Sequence, residues 1–248
     1  MNNLIALTSR ELKAFWYSPI AYVVGALFLL LQGTVFWLLV AYLNNPGSEI
    51  PGTMAQFFFG GTFFYWISVL LIAPLVTMRT FSEEKRTGTI EFLLTAPVTD
   101  AQVVLAKFLG AWCTYVLLWA LTIAFFLLLR GFTSFDWGPV LLGYLGTCLL
   151  GGVLVAAGVL ASSLTRNQVI AAVLSFVTIL LLFSIAFLDG LMRDPQSRVA
   201  LQYLSLIDHL RDFSRGILDT RPMVFYLSLT VICLFLTGRV IGSPRWRS

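Results

Sequence analysis

Ser205, Asp208, His209 and Asp212 place a hydroxyl, an imidazole and two carboxylates within one short stretch of chain. These are the residue types of nucleophilic acyl transfer, where an imidazole takes the serine proton and a carboxylate orients the ring. His209 is the only histidine in the sequence. The group reads instead as a helix-surface histidine beside acids, and no catalytic residue is assigned. The three cysteines, Cys113, Cys148 and Cys233, lie in separate apolar segments. They lack metal-ligand spacing and read as small apolar packers, so no metal site is assigned either. No GxxxxGK[ST] loop is present to cradle a phosphate, and no CxxC, HExxH or GxSxG occurs.

A second concentration of polar chemistry has a different character. From Ser18 to Met78 the only charged side chain is Glu49. Then Arg79, Glu83, Glu84, Lys85, Arg86 and Glu91 fall within thirteen residues. Ser82 stands where a helix cap would, and Gly88 where a helix would end. Glu83 and Glu84 precede Lys85 and Arg86, the charge order that suits a helix dipole. An ordinary solvated loop would need neither the four acids Glu83, Glu84, Glu91 and Asp100 nor the Leu93–Leu94 pair. The chemistry expected here is docking: a short polar helix and the apolar strip "TIEFLL", held against a protein partner.

The elements that must position this stretch are apolar. The 248 residues are 58% hydrophobic and 11% charged, where a soluble domain carries about 25% charged. Six segments are long enough to span roughly 30 Å of hydrocarbon as helices. They cover about 19–43, 57–78, 103–129, 139–161, 169–188 and 223–241. The expectation is an all-α polytopic membrane protein, with residues 1–248 forming one transmembrane domain. Gly143, Thr147, Gly151, Gly152 and Ala156 put small residues at helical spacing in the fourth span. Such spacing permits close helix packing, within the subunit or along a dimer seam. No span carries a carboxylate or ion pair at its centre, which argues against a proton relay. If the chain transports, energy must come from elsewhere.

Ten of the sixteen Lys and Arg residues fall on the face holding the N-terminus, the 79–107 loop, the 162–168 turn and the C-terminal tail. The positive-inside rule makes that face cytoplasmic and places both termini there, in an inner or plasma membrane. Two further elements lie along the membrane rather than across it. In "TSRELKAFWYSP", Thr8 and Glu11 have capping-box spacing. Arg10, Lys13, Phe15 and Trp16 there suit a short interfacial helix on lipid. On the opposite face Val199, Tyr203, Leu206, Leu210, Phe213 and Ile217 make a helical apolar stripe, with Asp208–Arg211 and Asp212–Arg215 as charge pairs. Phe57–Phe59 and Phe63–Trp66 read as a membrane-interface belt. No basic patch with interleaved aromatics is present, and nucleic acid is not an expected partner.

The stretch "VTMRTFSEEKRTGTIEFLLTAPVTDAQVVLAKFLGAW" resembles the loop after the second span of type-2 ABC transporter permeases. More closely, it resembles the gliding-motility-type branch and its relatives near the multicopper-enzyme-maturation permeases. Its pattern is M-R-x-F-x-E-E-x-x-x-G-T-x-E followed by "LLTAP". "RELKAFWYSPIAYVV" and "YLSLIDHLRDFSRGILDTRPMVFYLSLTVICLFL" resemble the same branch, so the likeness covers essentially the whole chain. The resemblance implies a half-transporter without cofactors of its own, with ATP and Mg bound by two copies of a cytoplasmic ABC ATPase. It implies a second permease copy or paralogue as well, and leaves room for an auxiliary extracytoplasmic subunit. Carried over, it makes Glu83, Glu84, Lys85, Arg86, Gly88, Thr89 and Glu91 the ATPase-coupling contact, with Arg166 as a lesser one. An exporter is the expected function. The alternatives are a membrane anchor through which an ATPase drives an extracytoplasmic machine, and a secondary transporter or channel.

Overall fold

The structure, a computed structural model, describes residues 2–44, 53–89, 99–188 and 201–243. Local chemistry sets most helix starts. Helix α1 (Asn2–Trp16) ends in a turn. Ser18 in extended backbone, with Pro19 at the first helical position, then opens α2 (Pro19–Leu43). Thr53 and Gln56 form a reciprocal capping box for the short α3 (Met54–Phe58). Thr62 caps α4 (Phe63–Thr77), which runs through Pro74. Helix α5 (Ser82–Thr87) follows and stops at Gly88, whose φ of 75° is the left-handed cap that glycine adopts freely. Thr99 and Gln102 close the expected capping box and start α6 (Asp100–Leu121). Helix α7 (Ile123–Leu129) continues it. Asp136, Ser205 and Asp219 cap α8 (Trp137–Ser163), α10 (Leu206–Ser214) and α11 (Thr220–Ile241), with α9 (Gln168–Leu188) between the first two.

Among the described residues, six helical stretches are long and apolar enough to cross a membrane: Pro19–Leu43, Phe63–Thr87, Asp100–Leu129, Trp137–Ser163, Gln168–Ala186 and Thr220–Ile241. Among the described residues there is no strand. The chain is an all-helical, multi-pass membrane protein. Successive spans alternate in direction. One end, called near, holds α1, α5 and the end of α8; the other, called far, holds α3, α7 and α10.

Helix α8 is the axis, packed by α4, α6, α9, α10 and α11. Its small residues are what let those neighbours in. A Cβ on Gly143 would overlap the Phe59 ring, one on Gly151 the Tyr115 ring, and one on Gly158 the Thr77 hydroxyl. Close packing within the subunit therefore accounts for the small-residue spacing. Hydrogen bonds cross between buried spans, that from Trp112 Nε1 to the Cys148 carbonyl at 3.0 Å among them. Gln32 Nε2 donates to Ser68 Oγ at 2.5 Å, and the Tyr65 and Thr147 hydroxyls share one at 3.0 Å.

Several expectations from sequence change. Residues 57 and 58 belong to α3, and a turn at Gly60 (φ 104°) separates them from the second span, which begins at Phe63. Trp66 Nε1 donates to the Gly60 carbonyl at 2.9 Å and holds that turn. Phe58, Phe59 and Tyr65 are fully buried in the core rather than set in an interface belt, while Phe63 is exposed. The third span breaks at Thr122, whose hydroxyl donates to the Trp119 carbonyl at 2.7 Å and also hydrogen-bonds the Tyr144 hydroxyl. Thr8 does not start α1. It lies mid-helix, with its hydroxyl donated to the Leu4 carbonyl at 2.9 Å. At the far end the stripe is shorter than its spacing suggested. Ser205 caps and restarts the helix, Leu206, Leu210 and Phe213 are buried, and Tyr203 and Ile217 are exposed. Asp208 pairs with Arg211 at 2.9 Å, but no side-chain ion pair joins Asp212 to Arg215.

The glycine contacts make a paired test. Gly151→Ala and Gly152→Ala gain the same helix propensity, yet the second meets nothing closer than 3.5 Å. Gly151→Ala must displace the buried Tyr115 ring, at a cost on the order of 1–3 kcal/mol. In detergent, the thermal unfolding midpoint should fall for Gly151→Ala and hold or rise for Gly152→Ala. Equal midpoints would refute α8 as a tightly packed axis.

Candidate functional site

The charged stretch after the second span folds onto the near end as α5, and three other helices clamp it. Its N-terminus has no cap of its own. The expected cap, Ser82, instead donates its hydroxyl to the Met78 carbonyl. Ser162 of α8 supplies the cap from outside: its Oγ accepts from the Phe81 and Ser82 backbone N–H groups, both at 3.1 Å, and donates to the Met78 carbonyl at 3.3 Å. These are orphan groups that every helix start must satisfy. One turn on, Lys85 is only 6% exposed and its Nζ donates to the Ser163 carbonyl. A cation placed at the carbonyl end of α8 also complements that helix's dipole.

The opposite side of α5 is held by charge. Lys107, in the second turn of α6, is 2% exposed. Its Nζ lies 2.8 Å from Glu84 Oε1, 3.3 Å from Glu11 Oε1 and 5.1 Å from the centre of the buried Phe81 ring. One ammonium thus joins α1, α5 and α6. Burying it alone would be costly, and two carboxylates and an aromatic face compensate. Arg10 closes the cluster, 3.0 Å from Glu11 and 3.7 Å from Glu84. Glu11 approaches because α6 carries Gly110 there, where an added Cβ would sit 2.8 Å from the Glu11 Cβ.

Arg79 secures the α4–α5 turn. Its Nη1 donates to Ser18 Oγ at 2.9 Å and its Nε to Gln168 Oε1 at 3.3 Å, with Glu83 Oε2 3.7 Å away. The start of α2, the start of α9 and α5 therefore meet at one guanidinium.

The eight residues expected to make one contact divide into two roles. Glu84 and Lys85 turn inward and fix α5 to the bundle. Arg86 (61% exposed), Gly88, Thr89 and Arg166 face out, and Glu83 lies between, 3.8 Å from Arg86. Glu91 lies outside the described residues, as does "TIEFLL" after Thr89. Three residues central to the clamp were not singled out from sequence: Ser162, Ser163 and Lys107. Lys107 had one signal, a lone cation at the foot of an apolar span.

In α1, Arg10 and Lys13 are exposed while Phe15 and Trp16 pack on the core. At the far end, Ser205 Oγ accepts from the Asp208 N–H at 3.2 Å. The His209 ring lies with Nε2 3.1 Å from the Tyr203 carbonyl, which fixes Nε2 as the protonated nitrogen. The hydroxyl and imidazole thus have separate backbone partners.

Comparison with known families adds the remaining finding. The family described as ABC-2 family transporter protein matches residues 40–207, about two thirds of the chain. The matched region runs from the end of α2 into α10 and includes α5, Lys107 and Ser162. No curated protein matches the chain. With six membrane-length helices and this match, the chain belongs to the ABC-2 transporter family, as one of its multi-pass membrane proteins.

Proposed function

We propose that the chain is the permease half of an ABC exporter, driven by two copies of a separate cytoplasmic ATPase that supply ATP and Mg chemistry. The supporting observation is the split within α5. Arg86, Gly88 and Thr89 face outward on and just after a helix whose Ser82, Glu84 and Lys85 are pinned to α1, α6 and α8. A partner seated on that outer face pushes on the bundle through hydrogen bonds and a buried ion cluster, without slack. Movement then reaches α8 through Ser162 and Ser163, and reaches α1 and α6 through Glu84 and Lys107. That is a coupling free energy between an ATPase site and a membrane path. A second copy or paralogue completes the path, and the far end, with Asp208, Arg211 and Asp212, offers a polar face to an extracytoplasmic subunit. The chain's branch is the gliding-motility type with its relatives near the multicopper-enzyme-maturation permeases, a reading supported by the resemblance of the charged stretch and its flanks. The anchor reading is less well supported, because Leu206, Leu210 and Phe213 are already spent against the bundle.

The near end is then cytoplasmic and the membrane is the inner or plasma membrane, as the Lys and Arg distribution argues. This orientation is tested with single cysteines in a background lacking Cys113, Cys148 and Cys233. Thr87→Cys and Ser134→Cys are both at exposed positions, on opposite ends. A membrane-impermeant maleimide should label Ser134→Cys in intact cells and Thr87→Cys only after permeabilisation. The reverse pattern would invert the topology.

For docking, Arg86→Glu is the variant of choice. It lies on the outer face, so insertion and unfolding midpoint should stay at wild-type values. ATPase recovered on the tagged permease should fall about tenfold or more, which corresponds to about 1.4 kcal/mol. Undiminished recovery would reject α5 as the seat. Reversal of Glu84 is not a clean test, since it sets a second cation against buried Lys107.

A further inference from the structure

Between α1 and the near ends of α4 and α6 lies a cleft of about 640 Å³. Its wall is apolar, with Phe15, Ile20 and Val76 among its residues, and its rim carries Arg10, Arg79 and Glu84. The rim is not internally satisfied. Arg10 is 55% exposed and spends one hydrogen bond, on Glu11. A guanidinium offers five N–H donors. Glu84 gives Oε1 to Lys107, while its Oε2 is buried with no hydrogen-bond partner among the described residues. A buried carboxylate oxygen in that state is missing a donor. Lys107 Nζ reaches this carboxylate through Oε1.

A ligand complementary to this rim and wall brings a cationic N–H donor to Glu84, an anion to Arg10 and Arg79, and an apolar body. We propose that the cleft binds a phospholipid with a phosphoethanolamine head, drawn from the leaflet at the near end. Its primary ammonium donates to Glu84 Oε2. Its phosphate accepts from the Arg10 and Arg79 guanidinium groups, which bind phosphate oxygens in a fork geometry. Its acyl chains lie along Phe15, Ile20 and Val76. A phosphocholine head offers no N–H to the carboxylate, and a phosphoglycerol head offers no cation, so both leave Oε2 unsatisfied. The apolar wall and the interfacial position of α1 favour a lipid over a soluble head group. Such a lipid sits against the same Glu84 that ties α5 to α6. It thereby makes the clamp sensitive to leaflet composition. The proposal requires the membrane-spanning fold but not the ATPase reading, so either can fail alone.

The test uses the full chain, purified in detergent and stripped of lipid. Phosphatidylethanolamine, phosphatidylcholine and phosphatidylglycerol with identical acyl chains are added, and bound lipid is counted by native mass spectrometry. Soluble glycerophosphoethanolamine is added in a separate arm. Phosphatidylethanolamine should bind about tenfold more tightly than the other two, a margin of about 1.4 kcal/mol. Soluble glycerophosphoethanolamine should not displace it at equal concentration. Glu84→Gln should erase the preference over phosphatidylcholine while retaining residual binding, since Lys107 keeps Glu11. Arg10→Ala should weaken all three lipids together. Equal binding of the three by the native chain would overturn the proposal. So would preference for phosphatidylglycerol, a preference that survives Glu84→Gln, or displacement by the soluble head group.

Discussion

The near end depends on one buried cation. Lys107 is almost fully enclosed, and an ammonium there is tolerable only because Glu84 and Glu11 reach it from two other helices. Removing one partner of such a pair leaves an uncompensated charge, which typically costs about 3–5 kcal/mol. The contact therefore specifies more than it stabilises. Helix α5 cannot slide along α6, and α1 cannot lift from the bundle, without exposing or orphaning that charge. Arg79 works the same way on the neighbouring corner, where it reads the starts of α2 and α9 together.

The second constraint is steric. Helix α8 carries glycines where Phe59, Tyr115 and Thr77 press against its backbone, and Gly146 meets Phe213 of α10, with an added Cβ 2.8 Å from the Phe213 Cβ. Interiors packed in this way have little room to compress and pass displacement on. Polar contacts between spans are directional, as between Gln32 and Ser68 or Trp112 and the Cys148 carbonyl, so they fix which spans face each other.

What the sequence made legible was local. Thr99 with Gln102, Gly88 and the charge order of α5 all encode helix ends through neighbours a turn away, and each appears where the spacing placed it. The small residues of α8 announced close packing, although not their partners. Where reading failed, a distant atom decided. Ser82 has a cap's position, but Ser162, eighty residues on, takes that role. Thr8 has capping spacing inside a helix that already began at Asn2, because a threonine hydroxyl in mid-helix can bond back to the preceding turn. Phe58 and Phe59 looked like a belt by composition, yet Gly60 folds them inward over α8. In the charged stretch, residue type did not reveal that Glu84 and Lys85 point into the protein.

These two constraints meet at the end of α8. Its last turn holds Ser162 and Ser163, the groups that cap and anchor α5, and the same helix is the surface on which α4, α6, α9, α10 and α11 pack. Any force applied to the outer face of α5 is therefore delivered to the axis of the bundle rather than to its edge. A flexible loop in that place would dissipate the force in its own dihedrals. A six-residue helix with both flanks bonded has no such freedom, and a glycine-packed axis has no soft contacts in which to absorb the displacement. Force reaching α8 must move its neighbours as bodies. Of the charges that stand between two membrane-length helices, Glu84 and Lys85 turn inward and hold α5 to the bundle, Arg86 faces out, and Glu83 lies between.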